Sequence, residues 1–276
     1  MKNISFKTDI IIIIRVLLII LCGATCIPRI GHATQNDNKK FYYFNPDSSQ
    51  SNLVRLKQEM ERFLQKNAFT LTFQPFAKYH DFHREMMKTS PAFVFLPEWY
   101  FRQNKKNGLQ PLLQPVRKGQ ATYHKVLLTA KDSQLTLQGL RNKTLAMTTM
   151  GNNAPDVLDR IIFNQFKITA NALNIITTPK DSDALFALAM RQVDVALVSE
   201  NNLQKIGEIN PHILQIVHPL AKSQPIPLPI LCVGNVGVPG EKVMKLKKKF
   251  LEATHSDDSA DLMEMLQVDA WHNYSR

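Results

Sequence analysis

The side chains best placed to do chemistry are rings and neutral hydrogen-bond donors that stand just past short apolar stretches. In the first part of the chain these are Tyr43, Asn45, Tyr79, Trp99 and Tyr100. Aromatic faces offer rigid packing surface, and phenolic hydroxyls offer directional hydrogen bonds in a cleft that excludes water. Further on, Tyr123, His124, Thr148, Thr149, Asn152, Asn153 and Asp181 form a second set, with Ser199 a weaker member. Donors held in place by a fold lose little entropy when a ligand arrives, so neutral dipoles in a dry site can capture even an anion. Each ring taken alone also suits core packing, and Asp181 also suits a helix cap.

Enzymatic readings find little to stand on. There is no G-x-S-x-G elbow, no H-E-x-x-H, no Walker loop and no dinucleotide fingerprint, and no cofactor is expected. His80 and His83, beside Met86 and Met87, have the spacing of one helical face and admit a copper, nickel or zinc reading. No carboxylate or cysteine pattern completes a shell, and surface histidines on a helix read the same way. Cys232 lies in the apolar run Pro229-Ile230-Leu231-Cys232-Val233, which favours an inert core thiol over a nucleophile.

The N-terminus carries the layout of a secretory signal: Lys2, Lys7 and Arg15 precede the apolar run from Val16 to Ala24. Gly31 and Ala33 place a cut before Thr34, so residues 1–33 are expected to be removed and the mature protein to be periplasmic. Asp9 and Arg15 keep the apolar run short of the ~20 residues a bilayer span requires. Neither Cys22 nor Cys26 has the approach of a lipoprotein site, and with both gone Cys232 has no partner for an internal disulfide.

The formal net charge is +11 from 34 basic and 23 acidic residues, and the signal accounts for four of the former and one of the latter. The exported chain is therefore moderately basic. A nucleic-acid binder would concentrate its charge beside exposed aromatics, whereas these lysines and arginines are spread along the sequence, which argues against a nucleic-acid partner. The one dense run, Lys242 to Lys249, puts Val243, Leu246 and Phe250 on one helical stripe with lysines opposite, a solvated helix face in preference to a docking patch.

The periodicity alternates. Phe41 to Phe44 reads as a strand closed by Asn45-Pro46-Asp47. Leu53, Leu56, Met60, Phe63 and Leu64 recur at helical spacing, and Phe69, Leu71 and Phe73 alternate as in a strand. A helix over His80 to Lys88 and the strand Ala92 to Leu96 repeat the unit, and such an apolar strand suits a parallel sheet covered on both faces. Strands follow over Leu112 to Val116 and Lys125 to Thr129, with a turn at Arg117 to Gln120 between them. A second series has a short helix in Leu135 to Leu140, strands over Thr144 to Thr148, Ala172 to Thr177 and Asp194 to Val198, and helices over Pro155 to Phe166 and Ser182 to Met190. The proline-rich segment Pro219 to Pro229 reads as a strap between lobes.

The order of these motifs resembles the phosphate/phosphonate solute-binding proteins of ABC transporters, the PhnD-like group. The segments that carry it are Ala92 to Pro97 with Tyr100, Pro115-Val116-Arg117 leading to Tyr123 through Val126, Lys143 to Thr148, Asp183-Ala184, Val193 to Ala196 and Ser223 to Pro229. The resemblance implies an α/β fold of the type II periplasmic binding class, two lobes of mixed, mostly parallel sheet joined by two crossover strands. Residues 40–122 with 228–276 would form lobe 1 and residues 123–227 lobe 2. It further implies a monomer that closes on a small, anionic, phosphate- or phosphonate-like ligand and presents it to an ABC permease. A stand-alone sensory or accessory protein serving a membrane sensor is the alternative. Where the family has a serine/threonine-rich, glycine-containing turn, this chain reads Thr148 to Pro155 with Met150 and Pro155 in it. Only part of that cradle survives, and the helix start at Gly151 to Asn153 still offers backbone N–H groups and a positive dipole end to an anion.

Overall fold

The computed structural model describes residues 39–48, 52–105, 108–234 and 237–275. The expected signal segment lies outside the described residues. Among those described, no helix is long and apolar enough to cross a membrane.

Chain alternation builds two sheets. The first segment runs β1 (Lys40–Tyr43), α1 (Leu53–Lys66), β2 (Thr72–Pro75), α2 (Tyr79–Lys88), β3 (Phe93–Leu96), α3 (Glu98–Gln103) and β4 (Gln110–Val116). After the short β5 (Thr122–Tyr123) come β6 (Lys125–Ala130), β7 (Thr144–Thr148), α4 (Ala154–Leu158), β8 (Asn174–Thr178), α5 (Asp181–Ala189) and β9 (Val195–Ser199). Then follow α6 (Glu200–Ile209), α7 (Pro211–Ile216), β10 (Val217–Lys222) and β11 (Ile226–Pro227). The chain closes with β12 (Ile230–Val233), α8 (Gly240–Ala253), α9 (Ala260–Leu266) and β13 (Ala270–Asn273).

One sheet has the order β13-β4-β12-β3-β1-β2 and the other β10-β6-β9-β7-β8. In each, the βαβ units pair in parallel and the strands that return from elsewhere pair antiparallel. The two lobes are thus mixed sheets flanked by helices, as the alternation predicts. Between them β5 and β11 pair antiparallel, Tyr123 opposite Ile226 and Thr122 opposite Pro227.

Alternation within single strands decides which core each residue enters. In β1, Phe41 and Tyr43 join the cluster of Leu56, Phe63, Phe250 and Trp271, while Tyr42 points to the opposite face. β3 divides likewise, Phe93 and Phe95 one way, Val94 and Leu96 the other. The second face does not end at the lobe: its cluster runs through Trp99, Met150 and Ile226 into Leu127, Leu145, Leu197 and Phe163 of the other sheet. The lobes are therefore in apolar contact.

Several boundaries move from their expected places, each for a visible reason. The strand expected over Phe69 to Phe73 starts at Thr72, because Ala68 turns left-handed (φ 55°) and the Phe69 N–H donates to the Leu64 carbonyl, closing α1. The strand expected from Ala172 starts at Asn174, after a 3-10 turn over Ala170–Ala172. The helix expected over Pro155 to Phe166 is α-helical only to Leu158. It widens to a π-turn over Asp159–Phe163, where the Ile161 carbonyl accepts from the Gln224 N–H of the returning strap at 2.6 Å. The proline-rich segment divides too: Pro219 lies in the edge strand β10 at a register shift, where a missing N–H is tolerated, and only the stretch after Lys222 crosses between lobes.

Candidate functional site

The carboxyl ends of β7 and β9 and the start of the antiparallel β6 lie at one end of the five-stranded sheet, the place where open α/β sheets bind ligands. Lys125, the first residue of β6, sits opposite Ser199, the last of β9. Its side chain is 0% exposed, the single lysine buried to that degree among the described residues. Such an ammonium requires partners.

Its partners come from both lobes. Lys125 Nζ donates to Asp47 Oδ1 at 2.6 Å and to Thr148 Oγ1 at 2.9 Å, and it lies 3.5 Å from Asp181 Oδ1. Asp47 belongs to the turn after β1, on the side of the six-stranded sheet, and its side chain is 11% exposed. Thr148 also donates to Asp47 Oδ1 at 2.5 Å, and the Tyr123 hydroxyl, from the crossover strand, donates to the other carboxylate oxygen. Asn202 Nδ2 reaches the Asp47 carbonyl at 3.1 Å. The turn is pre-shaped for this by Asn45, whose Oδ1 accepts the Asp47 N–H at 3.2 Å.

Asp181 is held separately. Its Oδ2 accepts from the Ser199 N–H (2.9 Å), the Ser199 hydroxyl (2.7 Å) and Asn202 Nδ2 (2.8 Å), and it makes no cap: Lys180 occupies that position. Two carboxylates thus face one ammonium, and their environments push them apart. Burial raises the Asp47 carboxyl, but the Lys125 charge and the hydrogen bonds of Lys125, Thr148 and Tyr123 outweigh it and hold it below the usual carboxylate range. Burial and the Asp47 charge leave Asp181 above that range despite Lys125. Burial lowers the Lys125 ammonium, yet Asp181 and Asp47 together raise it, so it stays charged.

The residues expected from sequence fall into four groups. Tyr123, Thr148 and Asp181 belong to this cluster, and Asn45 and Ser199 support it. Tyr79, Trp99 and Tyr100 form an aromatic wall of the first lobe: Tyr79 stacks on His83 with centroids 5.4 Å apart, and His83 Nδ1 lies 3.0 Å from the Tyr100 hydroxyl. Tyr43 is core, stacked on Phe95 at 5.4 Å. His124 hydrogen-bonds the Ser223 carbonyl at 2.8 Å and fastens the strap, Thr149 accepts the Gly151 N–H at 3.2 Å, and Asn152 and Asn153 are exposed. Of the other candidates, Cys232 is buried, which pushes its thiol well up, and His80 is exposed beside Asp81. Among the described residues no group of three or more His, Cys, Asp or Glu is arranged to hold a metal.

Sequence reasoning missed Asp47, Lys125 and Asn202, and with them the charged character of the site. One signal was present: Lys125 opens the strand KVLLTA, which is apolar but for Thr129 and in which every residue is buried.

The glycine turn that offered amides to an anion is instead packed against the other lobe. Gly151 has φ 79°, and a Cβ there would stand 2.8 Å from Trp99 Cζ3, 3.1 Å from Gln103 Oε1 and 3.3 Å from the Tyr79 hydroxyl. Gly151→Ala is expected to lower stability by about 1–3 kcal/mol through backbone strain and overpacking. The same change is expected to enlarge the radius of gyration as the lobes part. Urea titration and small-angle scattering check this, and unchanged values in both would show that the turn does not bear on the aromatic wall.

The cavity left beside the cluster, lined by Asp47, Arg117, Tyr123 and Ser199 among others, measures about 10 Å³. That is at most the room of one water. On the other side of Tyr123 a larger cavity of about 220 Å³ lies between the lobes, lined by Trp99, Arg102, Met150, Arg160 and Pro225.

Residues 42–275 match the model of a protein family described as the phosphonate periplasmic substrate-binding proteins of ABC transporters. This chain belongs to that family. Its members are solute-binding transport proteins, and the binding proteins of ABC importers are exported. Solved structures agree on the fold. A binding protein component of an ABC phosphonate transporter from Pseudomonas aeruginosa has TM-score 0.69 and 17% identity, over 85% of this chain and 80% of that one. A PhnD protein from Prochlorococcus marinus in complex with methylphosphonate also has TM-score 0.69, with 11% identity over 85% of this chain and 92% of that one. A Xanthomonas citri protein bound to ATP has TM-score 0.66 and 12% identity, covering 86% and 90%. No curated protein matches the sequence.

Proposed function

We propose that this family member captures a small oxyanion between its lobes, with Lys125, Thr148 and Tyr123 as the donors, and hands it unchanged to an ABC permease from the periplasm. One observation carries the chemistry: three donors from one lobe and its strap converge on the two oxygens of a single carboxylate. Charge-assisted donors so arranged suit a carboxylate, phosphate or phosphonate. Family membership favours the importer-linked role over the stand-alone sensory one. The paired crossover strands at Thr122–Tyr123 and Ile226–Pro227 support lobe limits near residues 122/123 and 227/228, with the chain acting as a monomer that hinges there.

Calorimetric titration of the exported protein with methylphosphonate, phosphate and phosphite tests the reading. Binding of at least one is expected. In protein that also carries Asp47→Ala, so that this carboxylate does not compete for the same donors, it should fall about 100-fold or more in Thr148→Val combined with Tyr123→Phe, which together remove two donors to one charged group. Equal affinity with and without the double change on that background would place the ligand elsewhere.

A further inference from the structure

We infer that Asp47 is a tethered oxyanion, which occupies the ligand's own seat and bolts the lobes shut when no ligand is bound. The inference rests on the oxyanion reading of the seat and adds what holds it in the ligand-free protein. Each hydrogen bond described for the Asp47 carboxylate, to Lys125, Thr148 and Tyr123, comes from the second lobe or its strap, and its backbone carbonyl is taken by Asn202 of the same lobe. The turn carrying it is fastened to the first lobe through β1. An aspartate so placed does across the cleft what a bound anion does: it satisfies the buried ammonium and draws the two halves together.

Space and charge both make occupancy exclusive. The residual cavity of about 10 Å³ leaves no room for a phosphonate head beside the Asp47 carboxylate. The seat also already holds two carboxylates against one ammonium, so a further anion would enter a site with excess negative charge at low dielectric. Once Asp47 withdraws, Lys125 is balanced by Asp181 alone, and Lys125, Thr148 and Tyr123 regain free donors. A ligand must therefore displace Asp47, and its apparent affinity is reduced by the fraction of molecules in which the bolt is drawn.

Asp47→Ala and Asp47→Asn separate the possibilities. Small-angle scattering of the ligand-free proteins reads closure directly, and calorimetry with methylphosphonate, phosphate and acetate reads the seat. The wild type is expected to be compact and little changed by ligand. Asp47→Ala is expected to be expanded, to contract when an anion is added, and to bind it about tenfold or more tightly than the wild type. Asp47→Asn, which keeps the side-chain shape and one acceptor, should move both readouts in the same direction by less, and it carries the test if the alanine variant does not fold. Ligand-free variants as compact as the wild type, or a wild type that binds as tightly as the variants, would overturn the bolt and leave the oxyanion reading standing. Expansion with no binding of any of the three anions would overturn that reading, while the bolt itself stood.

Discussion

Lys125→Met is expected to cost about 3–5 kcal/mol, because removing one partner of a buried ion pair leaves an uncompensated charge in a low-dielectric site. Here two carboxylates lose their shared partner, Asp47 at 2.6 Å and Asp181 at 3.5 Å from the ammonium. Methionine nearly preserves the volume, so the loss measures charge and hydrogen bonding more than packing. For a folded body of this size the midpoint of thermal unfolding should fall by roughly 6–20 °C. Calorimetry at neutral pH reads it. Adding Asp47→Asn and Asp181→Asn to Lys125→Met should return most of the loss, since the three residues form one network and their effects cannot add. A single variant as stable as the wild type would show that the ammonium is not buried against these carboxylates.

Phe250→Ala is expected to cost a comparable amount, about 3–5 kcal/mol, through lost burial and the cavity left behind. Phe250 is 1% exposed. Its ring lies 5.1 Å from Phe63, 5.1 Å from Trp271 and 6.2 Å from Phe41, measured between centroids. These neighbours come from α1, β13 and β1, so the one side chain pins the late helix α8 onto the sheet begun by the first strand. Met244→Ala on the same helix, at an exposed position, should change stability by no more than about 0.5 kcal/mol. Urea unfolding of the pair checks the contrast, and similar midpoints would mean that α8 is not docked through Phe250. The lysine-rich run is thereby placed: Leu246 and Phe250 face the core, and Lys249 pairs with Glu252 on the outer face.

The sequence by itself determined the elements and their order, because hydrophobic period is a local property, and the two-lobed layout followed from the resemblance that this order carries. The apolar run of Phe93–Leu96, closed by Pro97, suits a strand covered on both faces, and Leu56, Met60, Phe63 and Leu64 recur at the spacing of one helical stripe. The crossover was legible in part: the prolines from Pro219 to Pro229 read as a strap, but Pro219 lies in the edge strand β10 and only the later stretch crosses. Boundaries slipped where a carbonyl or N–H was claimed from a distance, as when the strap took Ile161's carbonyl and widened a helix that composition alone would have continued.

What only the tertiary structure decided is the charge at the seat. Asp47 and Lys125 are 78 residues apart, Asp47 and Thr148 101 apart. In the sequence one is a turn aspartate after a proline and the other a lysine at a strand's edge, both ordinary for water. Burial becomes affordable for each only when the lobes meet and supply the other, and desolvation is a property of the assembled interface that no local pattern of residues encodes.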